Sequence, residues 1–225
     1  MQSRKQWRAL IAVVAAVGML GGSAGSALAN DPWNGWQAAQ YADSHYDDCG
    51  IPYTMSPDGW YCYSADCTSF ASRAMNEGGS YTMVNKGNGD AYADTWWEDK
   101  FTWMPNHSPS WAVGWSLYYF LVYKDHNNGS SGPGGGWLVH TNYGISFAEP
   151  HNYLYYGDLI FFASEGGGWW NIDHVKIETG WNTYYDWADQ HSPGYWHTWW
   201  NGADHYPPNP GGYLLFQVHI DPANI

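Results

Sequence analysis

Residues 64–79 read Ser64-Ala65-Asp66-Cys67-Thr68-Ser69-Phe70-Ala71-Ser72-Arg73-Ala74-Met75-Asn76-Glu77-Gly78-Gly79. Small and apolar side chains fall at Cys67, Phe70, Ala71, Ala74 and Met75, the i, i+3, i+4, i+7, i+8 stripe of a helix with one buried face. Ser64 or Asp66 is placed to cap its start, and Gly78-Gly79 to end it. Cys67 then sits in the first helical turn and on the inward stripe. Unpaired backbone N–H groups and the positive end of the helix dipole favour a thiolate there, so the spacing predicts a depressed thiol pKa. A small buried hydrophobe is the plain alternative for the same cysteine.

Upstream, the segment 33–47 is rich in Ala and Gln and predicts a short helix. Downstream, 80–110 is loop-like, a second amphipathic helix is expected from Ser110 to about Tyr123, and 127–136 is a Gly/Asn/Ser loop. Short strands follow: Trp137 to His140, Gly157 to Phe162, Asp173 to Thr179 with Val175 and Ile177 on one face, Thr183 to Gln190, and Tyr213 to His219. Helices first and strands afterwards predict an α+β domain, not a doubly wound sheet. No fixed-period repeat and no linker divides it.

The first 29 residues predict a signal peptide. Arg4, Lys5 and Arg8 are followed by an apolar run from Ala9 to Leu20 and by Ala27-Leu28-Ala29. That run is shorter than the ~20 residues a membrane span requires. Cleavage after Ala29 leaves residues 30–225 as one secreted, extracellular domain. Loss of those three basic residues takes the formal charge from −13 to −16. Such an acidic surface excludes a phosphate-tracking nucleic-acid binder and stable docking on an anionic membrane. With aromatic residues at 19% of the chain, disorder is excluded as well.

Export makes the three cysteines informative. Cys49 and Cys62 bracket a loop with Pro52, Pro57 and Gly59, which suits a disulfide-closed turn; pairing of Cys62 with Cys67 is the alternative. Without a C-x-x-C pair or a twelve-residue calcium loop, neither a metal nor another cofactor is expected. Asp173-His174 opens a strand after a Gly-rich loop, a place where an imidazole could face a cleft. A polar group between Asp186 and His191 on the next strand could hold its tautomer.

Asp66-Cys67-Thr68-Ser69-Phe70-Ala71-Ser72-Arg73-Ala74 with Gly78-Gly79 resembles the Asp-Cys-Thr-Asn-Phe-Val-Ser-Gln…Gly-Gly signature of the putative amidase domain family, within the papain-like, NlpC/P60-type thiol hydrolases. Trp96-Trp97 with Ser110-Trp111, Gly157-Asp158-Leu159-Ile160-Phe161, His174-Val175-Lys176-Ile177-Glu178-Thr179-Gly180 and Gln190-His191-Ser192 resemble further landmarks in the family's order. The similarity spans about residues 36–192, leaving an aromatic extension over 193–225. It implies a papain-like fold, with the nucleophile-bearing helix packed on an antiparallel sheet. It also implies Cys67 as nucleophile, His174 as general base and acid, and an acyl-enzyme formed from an amide carbonyl. Asp189 is taken as the third member, ahead of Asp186, Gln190 and His191. Ser69, Arg73, Lys176 and Glu178 depart from the family pattern. Two functions follow: a cysteine amidase or peptidase acting on peptide or peptidoglycan-derived substrates, or an inactive or redirected module binding carbohydrate or protein through Trp pairs at 96–97, 169–170 and 199–200.

Overall fold

A computed structural model describes residues 33–84, 95–103, 105–123, 136–143, 154–164, 167–181, 186–191, 195–199 and 214–220. The expected signal peptide, the 127–136 loop apart from its last residue, and Trp200 lie outside these residues. The helical part comes first: α1 (Gly35–His45), α2 (Cys67–Arg73), α3 (Pro109–Ala112) and α4 (Gly114–Tyr118). Six strands follow: β1 (Gly136–Tyr143), β2 (Leu159–Ala163), β3 (Ile172–Trp181), β4 (Asp186–Gln190), β5 (Tyr195–Trp199) and β6 (Leu214–Ile220). They form one antiparallel sheet in the order β1-β6-β2-β3-β4-β5. The architecture is α+β, as the order of periodicities predicts.

α1 begins where Asn34 accepts a hydrogen bond from the Gln37 N–H at 3.0 Å, a side-chain cap for one orphan donor. Its buried face is built of Ala38, Ala39 and Ala42, small enough to let the helix lie close to its neighbours. The expected 64–79 helix is an α-helix only to Arg73 and continues as a π-turn over Ala74–Gly78. The second expected helix is broken at Val113, which takes an extended conformation (φ −121°, ψ 120°), and its last turn, Tyr119–Tyr123, is also π-type. Gly114 packs so closely on the start of β3 that a Cβ there would lie 2.9 Å from Ile172 Cγ2. Tertiary contact, not periodicity, sets that break.

Strand alternation divides the sheet's two faces. Leu159, Phe161, Val175, Ile177, Phe216 and Val218 face the helices and join Phe70, Ala71, Ala74, Met75, Trp60, Trp96 and Trp111 in the main core. Ile160, Phe162, Ala188 and Leu215 form a smaller cluster on the opposite face. Within the main core Trp60 and Trp111 stack at 5.2 Å, and Trp96 lies 4.8 Å from Trp111. Trp96 donates its indole N–H to Ser72 Oγ at 3.1 Å, and that hydroxyl donates to the Trp111 carbonyl at 2.9 Å. The tryptophan cluster thereby fixes the depth and rotation of α2.

Gly157-Asp158 has a structural role. Gly157 adopts φ +85°, open to glycine at little cost. The Asp158 carboxylate, 1% exposed, accepts from the backbone N–H groups of Tyr155 and Ile220 at 2.7 and 3.1 Å and lies 2.9 Å from His219 Nδ1. It ties the entry of β2 to the end of β6.

Candidate active site

Cys67 is the first residue of α2 and is 5% exposed. Its Sγ lies 3.9 Å from Thr68 Oγ1 and 3.9 Å from the Asp173 carbonyl oxygen. Cys49 and Cys62 are disulfide-bonded, which leaves Cys67 as a free thiol and removes the Cys62–Cys67 alternative. Closing that loop contributes on the order of 3 kcal/mol in the chain-entropy account.

The expected thiol acidity is corrected. Burial pushes the Cys67 thiol up, and the negative charge of Asp66 pushes the same way. The backbone at Val175 and the Thr68 hydroxyl pull it down without overcoming burial. Desolvation outweighs the dipole of a seven-residue helix. Asp66 does not cap α2 either. Its carboxylate is drawn instead to Arg73, to the Tyr63 N–H at 3.2 Å and to His191 Nδ1 at 2.8 Å. Arg73 is 2% exposed and demands a counter-charge. The rest of its guanidinium is held by the Ser69 carbonyl at 3.1 Å and contacts Cys49 Sγ at 3.3 Å.

His174 occupies the second paired position of β3 but faces the other side of the sheet from α2. There it lies 5.7 Å from the Phe162 ring, over which the Lys176 ammonium also sits at 5.5 Å. Its Nε2 is 3.0 Å from Gln190 Oε1. Gln190, not Asp189, therefore touches the imidazole. Asp189 is paired across to Ile177 on the helix-facing side, where it accepts from the Thr179 hydroxyl at 3.4 Å. Asp186 lies at the far end of β4, opposite Trp181. His191 stacks on Phe70 at 3.9 Å, with Nδ1 at Asp66 and Nε2 at the His45 carbonyl, 2.8 Å away. Cys67 and His174 are thus brought to the same end of β3, but the thiol meets the main chain of β3 and not the imidazole. Asp173, between them, stands at a bulge: the β2–β3 register slips between Phe162 and Ala163, so His174 and Ile172 face successive residues of β2.

Cys49, Asp66 and His191 offer donor atoms within 4.8 Å of one another. They do not fit a cation, because the Cys49 sulfur is spent in the disulfide and Asp66 is neutralised by Arg73. Of the Trp pairs, Trp96 and Trp97 are buried core residues at 0% and 6% exposure, which removes them as a binding platform. Trp170 is exposed. The side chain of Trp199 lies outside the described residues.

The family model described as putative amidase domain matches residues 33–210. The chain belongs to this putative amidase domain family. No curated protein and no solved structure matches the chain. Amide hydrolysis is the reaction the family description suggests. The matched stretch of the amidase domain includes Cys67, Asp158, His174, Asp189, Gln190 and all strands but β6.

Two buried groups of the amidase domain give stability a pH dependence of opposite sign. Burial lowers the His174 pKa to about 3, with the Lys176 charge acting in the same direction. The unfolded chain, near 6.5, binds the proton that the folded state refuses, so stability is lost as pH falls below about 6.5. Glu98, fully buried with its carboxylate accepting from the Tyr63 hydroxyl at 2.7 Å, is raised to about 7 by burial. That contribution is present below about 4.5 and lost as pH rises through 7. His174→Gln removes the first effect alone. Between pH 7 and pH 5 the wild type loses about 2 kcal/mol relative to the variant, since 1.5 units separate 6.5 from 5 at about 1.4 kcal/mol each. Urea midpoints of both proteins at the two pH values check this; parallel shifts overturn it.

Proposed function

We propose that the protein is an exported cysteine amidase of papain-like, NlpC/P60-type architecture, acting on amide bonds of peptides such as those released from a bacterial cell wall. The observation that carries the reading is a free thiol on the first residue of α2, seated against the Asp173-His174 end of β3, in a chain of the putative amidase domain family.

Cys67 attacks the amide carbonyl, and the oxyanion is met by backbone N–H groups at the start of α2, which have no intrahelical acceptor. His174 takes the thiol proton and delivers it to the leaving amine; water then cleaves the thioester. The described conformation is the resting one, with the thiol protonated and the imidazole neutral on Gln190. Moving the bulge by one residue, so that His174 takes the place of Asp173, turns the imidazole to the helix face, because a one-residue slip exchanges the faces of a strand. Gln190, with its amide on the resting imidazole, is the positioning residue, in place of Asp189.

Stoichiometric carbamidomethylation of Cys67 in the unreduced protein, located by peptide mapping, tests the reading. Alkylation is slow at pH 7 and accelerates toward pH 9 and above as the raised pKa is approached. Release of amine from wall-type peptides falls in proportion to the fraction labelled. Full hydrolysis by completely labelled protein overturns the assignment. A binding role on the same fold is the second reading, favoured by the burial of Cys67 and His174 at 5% and 1% exposure. It is the reading that stands if unlabelled protein hydrolyses no amide at any pH.

A further inference from the structure

At the other end of β3 a cavity of about 240 Å³ opens between α1 and the β3–β4 pair. It is walled by four aromatic rings: Trp36 from α1, Tyr156, Trp181 at the end of β3 and Trp187 on β4. Trp36 stands at 88° to Tyr156 with centroids 4.6 Å apart, and Tyr156 lies 4.3 Å from Trp181 at 37°. Rings set at such angles enclose a small space from several sides; they do not make one flat platform. The polar members are Gln40 and Asp43, on the α1 face that also carries Trp36, and Thr179 on β3, and no Lys or Arg lines the cavity.

The one formally charged side chain lining the cavity is the carboxylate of Asp43. Aromatic faces carry the negative lobe of the ring quadrupole, Asp43 brings a carboxylate, and the whole chain has a formal charge of −13. We propose that this cavity is an aromatic cage for a quaternary or methylated ammonium group, held by cation–π contact with Asp43 as counter-charge. Its volume is below the ~300–1,000 Å³ of sites that swallow a whole drug-sized ligand, so it takes a headgroup and leaves the carrier outside. A sugar ring, which stacks on an open flat face, matches these crossed rings less well.

Gly180 keeps the cage open. A Cβ there would stand 3.4 Å from the Trp187 ring and 3.9 Å from the Tyr156 ring, in the gap between two walls and within ordinary van der Waals distance of both. Gly180 lies seven positions along β3 from Asp173, where Cys67 makes its contact, roughly 20 Å away. The cage is therefore separate from the thiol and does not depend on its activity.

Titration of intrinsic tryptophan fluorescence with choline, its uncharged isostere 3,3-dimethylbutan-1-ol and cellobiose tests the proposal. The expected result is a saturable response to choline, about tenfold weaker binding of the neutral alcohol, and none with cellobiose. Gly180→Ala weakens choline about tenfold without moving the thermal midpoint by more than about 3 °C. Trp36→Ala, at a position 51% exposed and therefore safe for folding, has a similar effect on binding. No saturable response to choline, equal affinity for the neutral alcohol, saturation by cellobiose alone, or undiminished choline binding by both variants overturns it.

Discussion

Cys67→Ala abolishes amide hydrolysis, lowering kcat by a factor of about 10⁴ to 10⁶, the range seen when a covalent nucleophile is removed from a working catalytic set. The fold tolerates the change. The lost sulfur makes weak contacts, at 3.9 Å to Thr68 Oγ1 and to the Asp173 carbonyl oxygen and with the backbone at Val175, and none of them is to a charged group. The cost in stability is that of one small buried atom, on the order of 1 kcal/mol. Activity and stability thus separate by several orders of magnitude at this position. Amine release from a peptide substrate, measured beside the thermal midpoint, gives both numbers. A variant that keeps more than a few per cent of the wild-type rate removes Cys67 from the chemistry, while one that fails to fold as a cooperative unit shows that the thiol site was structural.

The same burial that makes Cys67 cheap to replace makes it costly to ionise. A helix start favours a thiolate through the dipole and free N–H groups, but that effect amounts to a fraction of a unit charge. Removing the thiol from water works against the charge more strongly, and Asp66 adds its own repulsion. His174 is held neutral by the same physics. The two groups lie on opposite sides of one strand, on either side of the Asp173 bulge, and under the proposed mechanism that bulge is where the arrangement changes. Burial is the larger cause of the lowering and the Lys176 charge the second, so Lys176→Glu reverses only the second.

How much of this is legible in the chain depends on the range of the interaction involved. The stripe Cys67-Phe70-Ala71-Ala74-Met75 is a local, 3.6-residue pattern; α2 falls within the stretch it predicts and runs on into the π-turn, with Phe70, Ala71, Ala74 and Met75 in the main core. The alternation Val175-Ile177 likewise fixes which face of β3 meets the helices. The break at Val113 is not local: it is set by the closeness of Gly114 to Ile172, over fifty residues away in sequence. Strand β5 is hidden because Tyr195-Trp196-His197-Thr198-Trp199 has no polar alternation to mark one solvent face. The bulge at Asp173 is invisible for a further reason. Alternation counts residues, and a bulge changes the count by one, so it decides on which side His174 lies without leaving a mark in composition. Gln190 and Asp189 are adjacent, and only the register of β4 on β3 tells which of them reaches the imidazole. Arg73, by contrast, could have been read: an arginine on the border of an apolar stripe, seven residues from Asp66, asks for a buried counter-charge.

That pair gives the largest expected loss of stability. Asp66→Asn destabilises the fold by about 3 to 5 kcal/mol, because it leaves the Arg73 guanidinium, 2% exposed, without its counter-ion. His191 and the Tyr63 N–H lose the same acceptor charge. For a domain of this size the thermal midpoint falls by roughly 6–20 °C, at about 2–4 °C per kcal/mol. Arg73→Gln alone strands the Asp66 carboxylate and costs a similar amount. The double variant, with neither charge, recovers most of the loss, since a buried pair stabilises far less than either unpaired member destabilises. Urea unfolding of the four proteins closes the cycle; single variants within 1 kcal/mol of wild type, or a double variant as unstable as the sum, overturn it. The same substitution reaches the thiol. Asp66 is one of the causes holding the Cys67 pKa up, so Asp66→Asn moves the alkylation midpoint of Cys67 downward even as it loosens the fold. A residue that contributes to stability through Arg73 thereby opposes ionisation of the thiol beside it, and in this chain the two demands meet on one carboxylate.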